Sequence, residues 1–314
     1  MENSLQTTTV YGAGIARIVS DGTVLDVWYP SPSFNTQDIT TKDLEHIANN
    51  YQDPAHRITK KVITCSAKLD EPPQNTEDAY LRLHALSHRL VTPNTINLDG
   101  IFGLLPNNVW TNFGPYPVEN FETTRASLNS NGNITVYSID KFPRMVDYVI
   151  PEGVRIADAD RVRLGAYLAS GTTVMHEGFI NFNAGTLGTC MVEGRISAGV
   201  TVDDGSDIGG GASVMGTLSG GGKEKISIGK NSLLGANSGV GISLGNDCIV
   251  EAGLYITSGT KVTYLKNGES KIVKAADLSG ESNILFMRNS QTGTVEARYR
   301  ASNNVSLNED LHSN

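Results

Sequence analysis

The chain has 314 residues and a formal net charge of −8, with 39% hydrophobic and 18% charged residues, which is typical of a globular protein of about two domains. The acidic balance argues against a nucleic-acid binder, which normally carries a basic face, but it allows a local basic pocket for a phosphorylated cofactor. No apolar run is long enough for a membrane span or follows a basic start as in a signal peptide, and Cys65, Cys190 and Cys248 lack CxxC spacing. We therefore expect a cytoplasmic protein.

Along the first part of the chain, the pattern predicts a mixed α/β domain over residues 1–150. Strands are expected at 23–29 and 61–69, and helices at 43–51 and 76–90. Asn75 is placed to cap the second helix, with leucines on one face. Gly12-Ala13-Gly14 resembles a dinucleotide-binding turn, but Arg17 holds the third glycine position, so we do not expect such a site.

The composition changes near residue 151. All 11 prolines lie at or before Pro151, whereas 23 of the 33 glycines fall between residues 151 and 264. We predict three domains: the α/β domain at 1–150, a repetitive domain at 151–264, and a hairpin segment with a tail at 265–314.

The repetitive domain has a period of six residues. Aliphatic side chains occupy 17 positions in register, with Thr186 as the one polar exception and with slips of four residues after Val192 and Val240: Ile156, Val162, Leu168, Val174, Ile180, Val192, Ile196, Val202, Ile208, Val214, Ile228, Leu234, Val240, Leu244, Val250, Ile256 and Val262. This spacing suits neither a helix nor an ordinary strand. It predicts a triangular left-handed parallel β-helix, in which each aliphatic side chain points inward and small residues form the corners.

Two features interrupt or end the repeat. Between Val214 and Ile228 the period breaks at a glycine-rich, basic stretch, which we interpret as a loop that serves function or as a tolerated insertion. After Val262, Asn267-Gly268 predicts one hairpin turn, and residues 284–300 predict a second hairpin.

Most hexapeptide-repeat prisms are acyltransferases, although fold alone does not establish activity. A metal-dependent carbonic anhydrase would need histidines on adjacent coils, and the repeat contains only His176. A fused sugar nucleotidyltransferase would need a glycine-rich basic loop near the N-terminus, which the sequence lacks. An acetyltransferase of this fold and a non-catalytic structural trimer remain open.

Several strings closely resemble the tetrahydrodipicolinate N-succinyltransferase family, in its actinobacterial version. They are RMVDYVIPEGVRIADADRVRLGAYLASGTTVMHEGFINFNAGTLG (144–188), MVEGRISAGV (191–200), GGGASVMGTLSGGG (209–222), LLGANSGVGISLG (233–245), NILFMRNS (283–290), LNEDLH (307–312) and DAYLRLHALSHRL (78–90). The resemblance covers most of the chain. It implies a homotrimer that moves succinyl from succinyl-CoA to tetrahydrodipicolinate in lysine and diaminopimelate biosynthesis, with active sites between neighbouring prisms.

Within MVEGRISAGV, the resemblance makes Glu193 the catalytic candidate, as a general base or as a nucleophile that forms an acyl anhydride. Arg195 is two residues away, so strand alternation predicts the same face, where a guanidinium suits a substrate carboxylate. The alternative for this pair is a structural ion pair between Glu193 and Arg195.

The resemblance also implies a cofactor site and a metal site. Besides Arg195, the residues that match the family's CoA-binding motifs are Gly210, Ser213, Ala236, Glu251, Ala252, Gly259, Lys274, Met287, Arg288, Asn289 and Ser290. Asp160 and Glu177 lie 17 residues apart, about one coil, and three copies of each around a trimer axis would need a cation such as Mg²⁺ or Ca²⁺. Otherwise these two residues are ordinary surface carboxylates.

Overall fold

The structure is a computed structural model that describes residues 9–38, 40–219 and 223–300. It contains two compact units. The first comprises Met1–Val91 and Thr95–Val149, and the second comprises Thr92–Asn94 and Ile150–Asn314. The predicted tail at 303–314 lies outside the described residues. No helix in the described part of the chain is long and apolar enough to cross a membrane.

The first unit combines two antiparallel three-stranded sheets with short helices. Its helices are α1 (Lys42–Asn49), α2 (Thr76–Ser87), α3 (Ile101–Leu104) and α4 (Phe121–Asn129). Its strands are β1 (Thr9–Val19), β2 (Val24–Trp28), β3 (Ile58–Lys68), β4 (Asn108–Thr111), β5 (Gly114–Pro117) and β6 (Val136–Asp140). One sheet has the order β2-β1-β3 and the other β5-β4-β6. The strands and helices expected from the pattern are confirmed, with ends shifted by a few residues.

Helix α2 begins as predicted, because the Asn75 side chain accepts a hydrogen bond from the Asp78 N–H at 2.8 Å. The expected apolar face with Leu81, Leu83 and Leu86 is buried, and so is every other residue from Asp78 to Ser87. The buried Arg82 remains satisfied because it pairs with Asp78 and donates to backbone carbonyls. Helix α2 is therefore a central helix of the first unit and not a surface helix.

Gly12 and Gly14 lie within β1 and form no phosphate-binding turn. A Cβ at either position would overlap the ring of Tyr29, at 2.7 Å from its Cδ1 atom. These glycines are thus explained by close packing in the sheet.

The second unit repeats two- and three-residue parallel strands. These are β7 (Arg155–Ile156), β8 (Tyr167–Leu168), β9 (Thr173–Val174), β10 (Phe179–Ile180), β11 (Gly185–Thr186), β12 (Cys190–Val192), β13 (Arg195–Ile196), β14 (Thr201–Val202), β15 (Ser206–Ile208), β16 (Ser213–Val214), β17 (Ser227–Ile228), β18 (Leu233–Leu234), β19 (Gly239–Val240), β20 (Ile249–Val250) and β21 (Tyr255–Ile256). They form three sheets: sheet 1 (β7, β9, β12, β15, β18, β20), sheet 2 (β10, β13, β16, β19, β21) and sheet 3 (β8, β11, β14, β17).

The chain visits sheets 1, 2 and 3 in turn, so the connecting turns stack into edges. We call the turns from sheet 1 to sheet 2 the first edge; they are 157–161, 175–178, 193–194, 209–212, 235–238 and 251–254. The turns that follow sheet 2 form the second edge, at 181–184, 197–200, 215–219 with 223–226, 241–243 and 257–260. Residues far apart in sequence therefore become neighbours along each edge.

The interior explains the six-residue period. Except for Val262 in the hairpin strand Lys261–Lys266, the aliphatic residues are the last residues of the short strands or isolated bridge partners, and nearly all are fully buried. The polar exception, Thr186, is also buried, and its hydroxyl is 2.6 Å from the Thr172 hydroxyl. Cys190 and Cys248 face inward too, with their thiols directed at backbone carbonyls. Thr186, Cys190 and Cys248 are tolerated here because each has a local partner.

The two predicted hairpins are confirmed. Strands β22 (Lys261–Lys266) and β23 (Glu269–Lys274) are joined by Asn267 and Gly268, both with positive φ. Strands β24 (Ile284–Arg288) and β25 (Val295–Tyr299) are antiparallel, and β24 continues sheet 1 by pairing with β20. The C-terminal segment thus extends the coil.

Candidate active site

Glu193 lies on the first edge, directly after β12. Its backbone N–H donates to the Ile208 carbonyl at 2.8 Å, and its carbonyl accepts from the Gly211 N–H at 3.3 Å. These bonds tie the turn to the following coil. The nearest atoms to a Cβ built on Gly210 would be those of the Glu193 carboxyl group, at 3.3 Å. The carboxylate therefore lies over a glycine and stays partly accessible.

Arg195 is on sheet 2 and does not share a strand face with Glu193. The chain turns at Gly194 between them, so the expectation from strand alternation is wrong. Within the described residues, no hydrogen bond or ion pair joins the Glu193 carboxylate to Arg195. Arg195 is exposed and pairs in register with Ser213 of the next coil.

Other predicted cofactor residues lie farther along the first edge. Ala236 follows Gly210, since the Asn237 N–H donates to the Gly210 carbonyl at 2.8 Å. The next turn contains Glu251 and Ala252, where the Gly253 N–H donates to the Ala236 carbonyl. Small side chains thus form a row beside Glu193, where another molecule can approach the backbone closely.

The end of β24 joins this row. The Arg288 N–H donates to the Glu251 carboxylate at 2.7 Å, and Met287 precedes it in the same strand. The Asn289 side chain is engaged within the hairpin: its amide donates to Glu296, and its oxygen accepts from the N–H groups of Gln291 and Thr292. Ser290 is exposed in that turn.

Gly259 and Lys274 lie apart from the first edge. Gly259 follows β21 on the second edge, and the hairpin end containing Lys274 is held there because Ala275 donates to the Thr260 carbonyl at 2.8 Å. Lys274 is exposed. Sheet 2, with Arg195 and Ser213, lies between these two groups of predicted residues.

The sequence did not single out Tyr255 or the contact that holds the insertion. A Cβ on Gly239 would overlap the Tyr255 ring, so this ring lies flat over sheet 2, in the row that contains Arg195 and Ser213. Ser219 of the insertion bonds both the N–H and the hydroxyl of Ser258. The sequence did contain a signal for Tyr255, because the six-residue repeat places this aromatic residue next to Gly239 of the preceding coil.

The predicted metal residues occupy the start of the first edge. The Arg161 guanidinium, adjacent to Asp160, is 3.1 Å from the Glu177 carboxylate. His176 also contacts Glu177, with Nδ1 at 2.9 Å. Among the described residues, no group of three or more potential metal-binding side chains is present in one chain. His176 lies in the turn after β9, one coil before the turn that contains Glu193, whereas Arg195 is on sheet 2.

Comparisons with known proteins agree with this architecture. A family model described as the hexapeptide repeat of succinyl-transferase matches residues 225–258, and one described as the middle region of tetrahydrodipicolinate N-succinyltransferase matches residues 105–144. A 2,3,4,5-tetrahydropyridine-2,6-dicarboxylate N-succinyltransferase from Vibrio cholerae is 56% identical, over 84% of this chain and 78% of the relative. The Pseudomonas aeruginosa protein of the same name is 57% identical, over 77% and 71%.

A solved structure is also similar. A Campylobacter jejuni protein assigned as 2,3,4,5-tetrahydropyridine-2-carboxylate N-succinyltransferase superposes with a TM-score of 0.79 at 30% identity, over 95% of this chain and 94% of that one. The repeated coil and its matches define a hexapeptide-repeat acyltransferase. More narrowly, the chain belongs to the tetrahydrodipicolinate N-succinyltransferase family, which confirms the predicted family, whereas its actinobacterial version stays a prediction.

Proposed function

We propose that this protein transfers succinyl from succinyl-CoA to tetrahydrodipicolinate, giving N-succinyl-2-amino-6-oxopimelate and CoA. Water adds to the C=N bond of the cyclic acceptor, and the ring opens to a ketone and an amine. The amine nitrogen then forms a bond to the thioester carbonyl while the C–S bond breaks. The reaction belongs to lysine and diaminopimelate biosynthesis in the cytoplasm.

The observation that carries this proposal is the position of Glu193 beside a row of small residues. Gly210, Ala236 and Ala252 leave the first edge open next to the carboxylate. An extended cofactor can lie along such a row because no large side chain separates it from the backbone. Its thioester would then reach the carboxylate at one end of the row.

Glu193 acts in this proposal as a general base that takes the proton lost by the attacking nitrogen and returns it to the leaving thiolate. A nucleophilic Glu193 would instead form an anhydride and release CoA before the acceptor binds. Rapid mixing with succinyl-CoA alone separates these roles, since only the nucleophile gives a burst of about one CoA per site.

Arg195 binds a carboxylate of the substrates. It is exposed on sheet 2 beside Ser213, and among the described residues it has no ion pair that would have to be broken first. A guanidinium recognises a carboxylate through two parallel hydrogen bonds. The proposed cofactor site has two further groups of residues, one at each end. They are Met287, Arg288, Asn289 and Ser290 beside the first edge, and Gly259 and Lys274 at the second edge.

We also propose that the coil is a left-handed parallel β-helix that works as a homotrimer, with three domains at 1–150, 151–264 and 265–314. Six-residue spacing and three parallel sheets support the β-helix. Asp160 and Glu177 then bind a shared Mg²⁺ or Ca²⁺ at the trimer axis, because these hard cations favour oxygen ligands. Metal analysis and melting curves of Asp160→Asn and Glu177→Gln should both differ from wild type, and identical behaviour would remove the axial site.

The activity is tested by measuring CoA release with succinyl-CoA and with acetyl-CoA, each with and without tetrahydrodipicolinate. We expect release only when succinyl-CoA and the acceptor are both present. Faster release with acetyl-CoA would make the protein an acetyltransferase of the same fold. No acceptor-dependent release with either thioester would overturn the proposal.

A further inference from the structure

The first unit contains a cavity of about 490 Å³, a size that suits a small metabolite. Its walls combine three charged residues, Asp21, Arg57 and Glu119, with a set of apolar side chains, Val19, Leu25, Pro106, Pro117 and Val118. All of these residues belong to the first unit. None belongs to the proposed acyl-transfer site.

Arg57 supplies the positive charge of the cavity. One of its terminal nitrogens, Nη1, donates to the Glu119 carbonyl at 3.0 Å and to the Thr124 hydroxyl at 2.8 Å. Both acceptors are uncharged. In the part of the chain that the structure describes, Nε and Nη2 have no partner and no carboxylate lies within ion-pair distance. The guanidinium is therefore fixed by neutral groups, and one edge remains for a ligand carboxylate.

Two carboxylates supply negative charge on the same cavity. The Thr23 N–H donates to Asp21 at 2.9 Å, and this hydrogen bond lowers the pKa of Asp21, so its carboxylate is charged at neutral pH. Glu119 is exposed, and no described residue bonds its carboxylate. Attraction to Arg57 also lowers the pKa of Asp21, but within the described residues no ion pair joins the guanidinium to either carboxylate. One cation and two anions therefore line a single cavity.

A neutral acceptor lies in the same wall. The Asn108 side-chain amide donates to the Leu25 carbonyl at 2.9 Å, which fixes the orientation of the amide. The Oδ1 atom of Asn108 is buried and has no hydrogen-bond partner in the described part of the chain. Because this oxygen has almost no accessible surface, it adds to the polarity of the wall and is not itself a contact for a ligand.

We propose that this cavity binds the zwitterion of a free α-amino acid. The α-carboxylate forms two hydrogen bonds with Nε and Nη2 of Arg57. The α-ammonium lies between Asp21 and Glu119. The side chain of the ligand packs on the apolar wall. A simple anion would meet two like charges, and a simple cation would meet the guanidinium, so only a ligand with both charges suits the site.

The proposal is tested on the full chain by thermal melting and calorimetry with each of the twenty standard α-amino acids. At least one should raise Tm and bind once per chain, because a ligand that binds only the folded state stabilises it. For that amino acid, the analogues that lack the α-carboxylate or the α-ammonium should bind at least about tenfold more weakly. Absence of binding by all twenty would overturn the proposal.

Variants locate the binding. Asp21→Asn keeps the acceptor for Thr23 and removes the charge, and together with Glu119→Gln it should weaken binding at least about tenfold. Arg57→Gln should do the same, whereas Arg125→Gln, whose guanidinium pairs with Glu122 outside the cavity, should bind as wild type. If Arg57→Gln fails to fold, the Asp21→Asn/Glu119→Gln pair decides alone. Binding that survives these changes but is lost in Glu193→Gln would place the ligand in the acyl-transfer site and overturn the inference.

Discussion

At the scale of single residues, the accessibility of the proposed catalytic carboxylate depends on its neighbour. Gly210 has no side chain, and a Cβ atom added to it would be only 3.3 Å from the Glu193 carboxyl group. The absence of a side chain at Gly210 therefore leaves room for this carboxyl group. Both turns are held by backbone hydrogen bonds between coils. The chemical group is thus placed by a rigid frame, and its charge can be changed with little effect on the fold.

Glu193→Gln tests the role of this charge. We expect turnover to fall by about a hundredfold or more, the scale for loss of a positioned general base, while the variant folds and binds succinyl-CoA as before. CoA-release kinetics paired with calorimetric succinyl-CoA binding provide the measurement. Near-normal turnover would reduce Glu193 to a structural role, and loss of binding would make it a cofactor-binding residue.

His176→Asn is informative because His176 lies on the edge of Glu193, one coil earlier. Its Nδ1 atom is 2.9 Å from Glu177, so the ring is engaged with an acid away from the Glu193 turn. We expect activity within roughly tenfold of wild type, measured by CoA release. A hundredfold loss would identify His176 as the base in place of Glu193.

At the scale of elements, each coil is fixed by residues that allow very close approach. A Cβ on Gly185 would overlap the backbone carbonyl oxygen of Tyr167 in the neighbouring strand, and its φ is +155°. Neither the carbonyl nor the strand can move without breaking the ladder between β8 and β11. The glycine is therefore required by the distance between coils.

Gly185→Ala should destabilise the protein by about 2–4 kcal/mol, because overpacking and backbone strain act together. Gly103→Ala is the matched control: Gly103 lies in α3, and no heavy atom lies within 4 Å of an added Cβ. Urea denaturation should show the loss only for Gly185→Ala. Equal stability of the two variants would contradict the close packing described for β11.

Helix α2 carries a buried neutral histidine. The Tyr29 N–H donates to Nε2 of His84 at 3.2 Å, so Nδ1 bears the proton and donates to the Tyr80 carbonyl at 2.7 Å. Burial lowers the pKa of His84 from 6.5 to about 3. Because only the unfolded chain takes up this proton, the contribution of His84 to stability is complete above pH 6.5 and declines as pH falls toward 3.

The His84→Gln variant should therefore have a shallower pH dependence between pH 6.5 and 5. The free energy of unfolding of the wild type should fall more steeply with acid, by up to about 1.4 kcal/mol per pH unit for one proton. His46→Gln, at an exposed site on α1, should keep the wild-type slope. Parallel curves for wild type and His84→Gln would show that His84 is not buried as a neutral group.

At the scale of the whole molecule, the proposed homotrimer is supported by the functional side chains that a single chain leaves exposed. Sheet 2 exposes Arg195 and the Tyr255 ring, and the first edge presents Glu193 beside small residues. A cleft between two prisms would enclose these groups and exclude water from the transfer. Acyl transfer to an amine in competition with hydrolysis benefits from such enclosure.

Light scattering should accordingly give a mass near three times 33.6 kDa for the active protein. The measurement should be made over a range of concentrations together with the CoA-release assay, because activity should follow the trimer fraction on dilution. A monomer with full activity per chain would contradict the homotrimer. It would also require each active site to be complete within one chain.

The coil, the hairpins and the family can all be predicted from the pattern of amino acids. Period-six aliphatic residues must be buried together, and only a coil with three sides returns each of them to the interior, so local pattern and tertiary structure agree. Asn267-Gly268 likewise specifies its turn by conformation alone. In α2, however, the pattern did not show burial on all sides, because the buried Arg82 depends on partners contributed by other elements.

Which of the candidate residues share an edge of the coil follows only from the three-dimensional arrangement. Spacing along the chain did not show that Glu193 and Arg195 are separated by a turn at Gly194, or that His176 precedes Glu193 on one edge. It also gave no indication of the cavity between Arg57 and Asp21, whose residues come from separate strands and loops. A sequence records periodicity within an element, whereas the neighbours of a charge are set by how turns and strands stack in three dimensions.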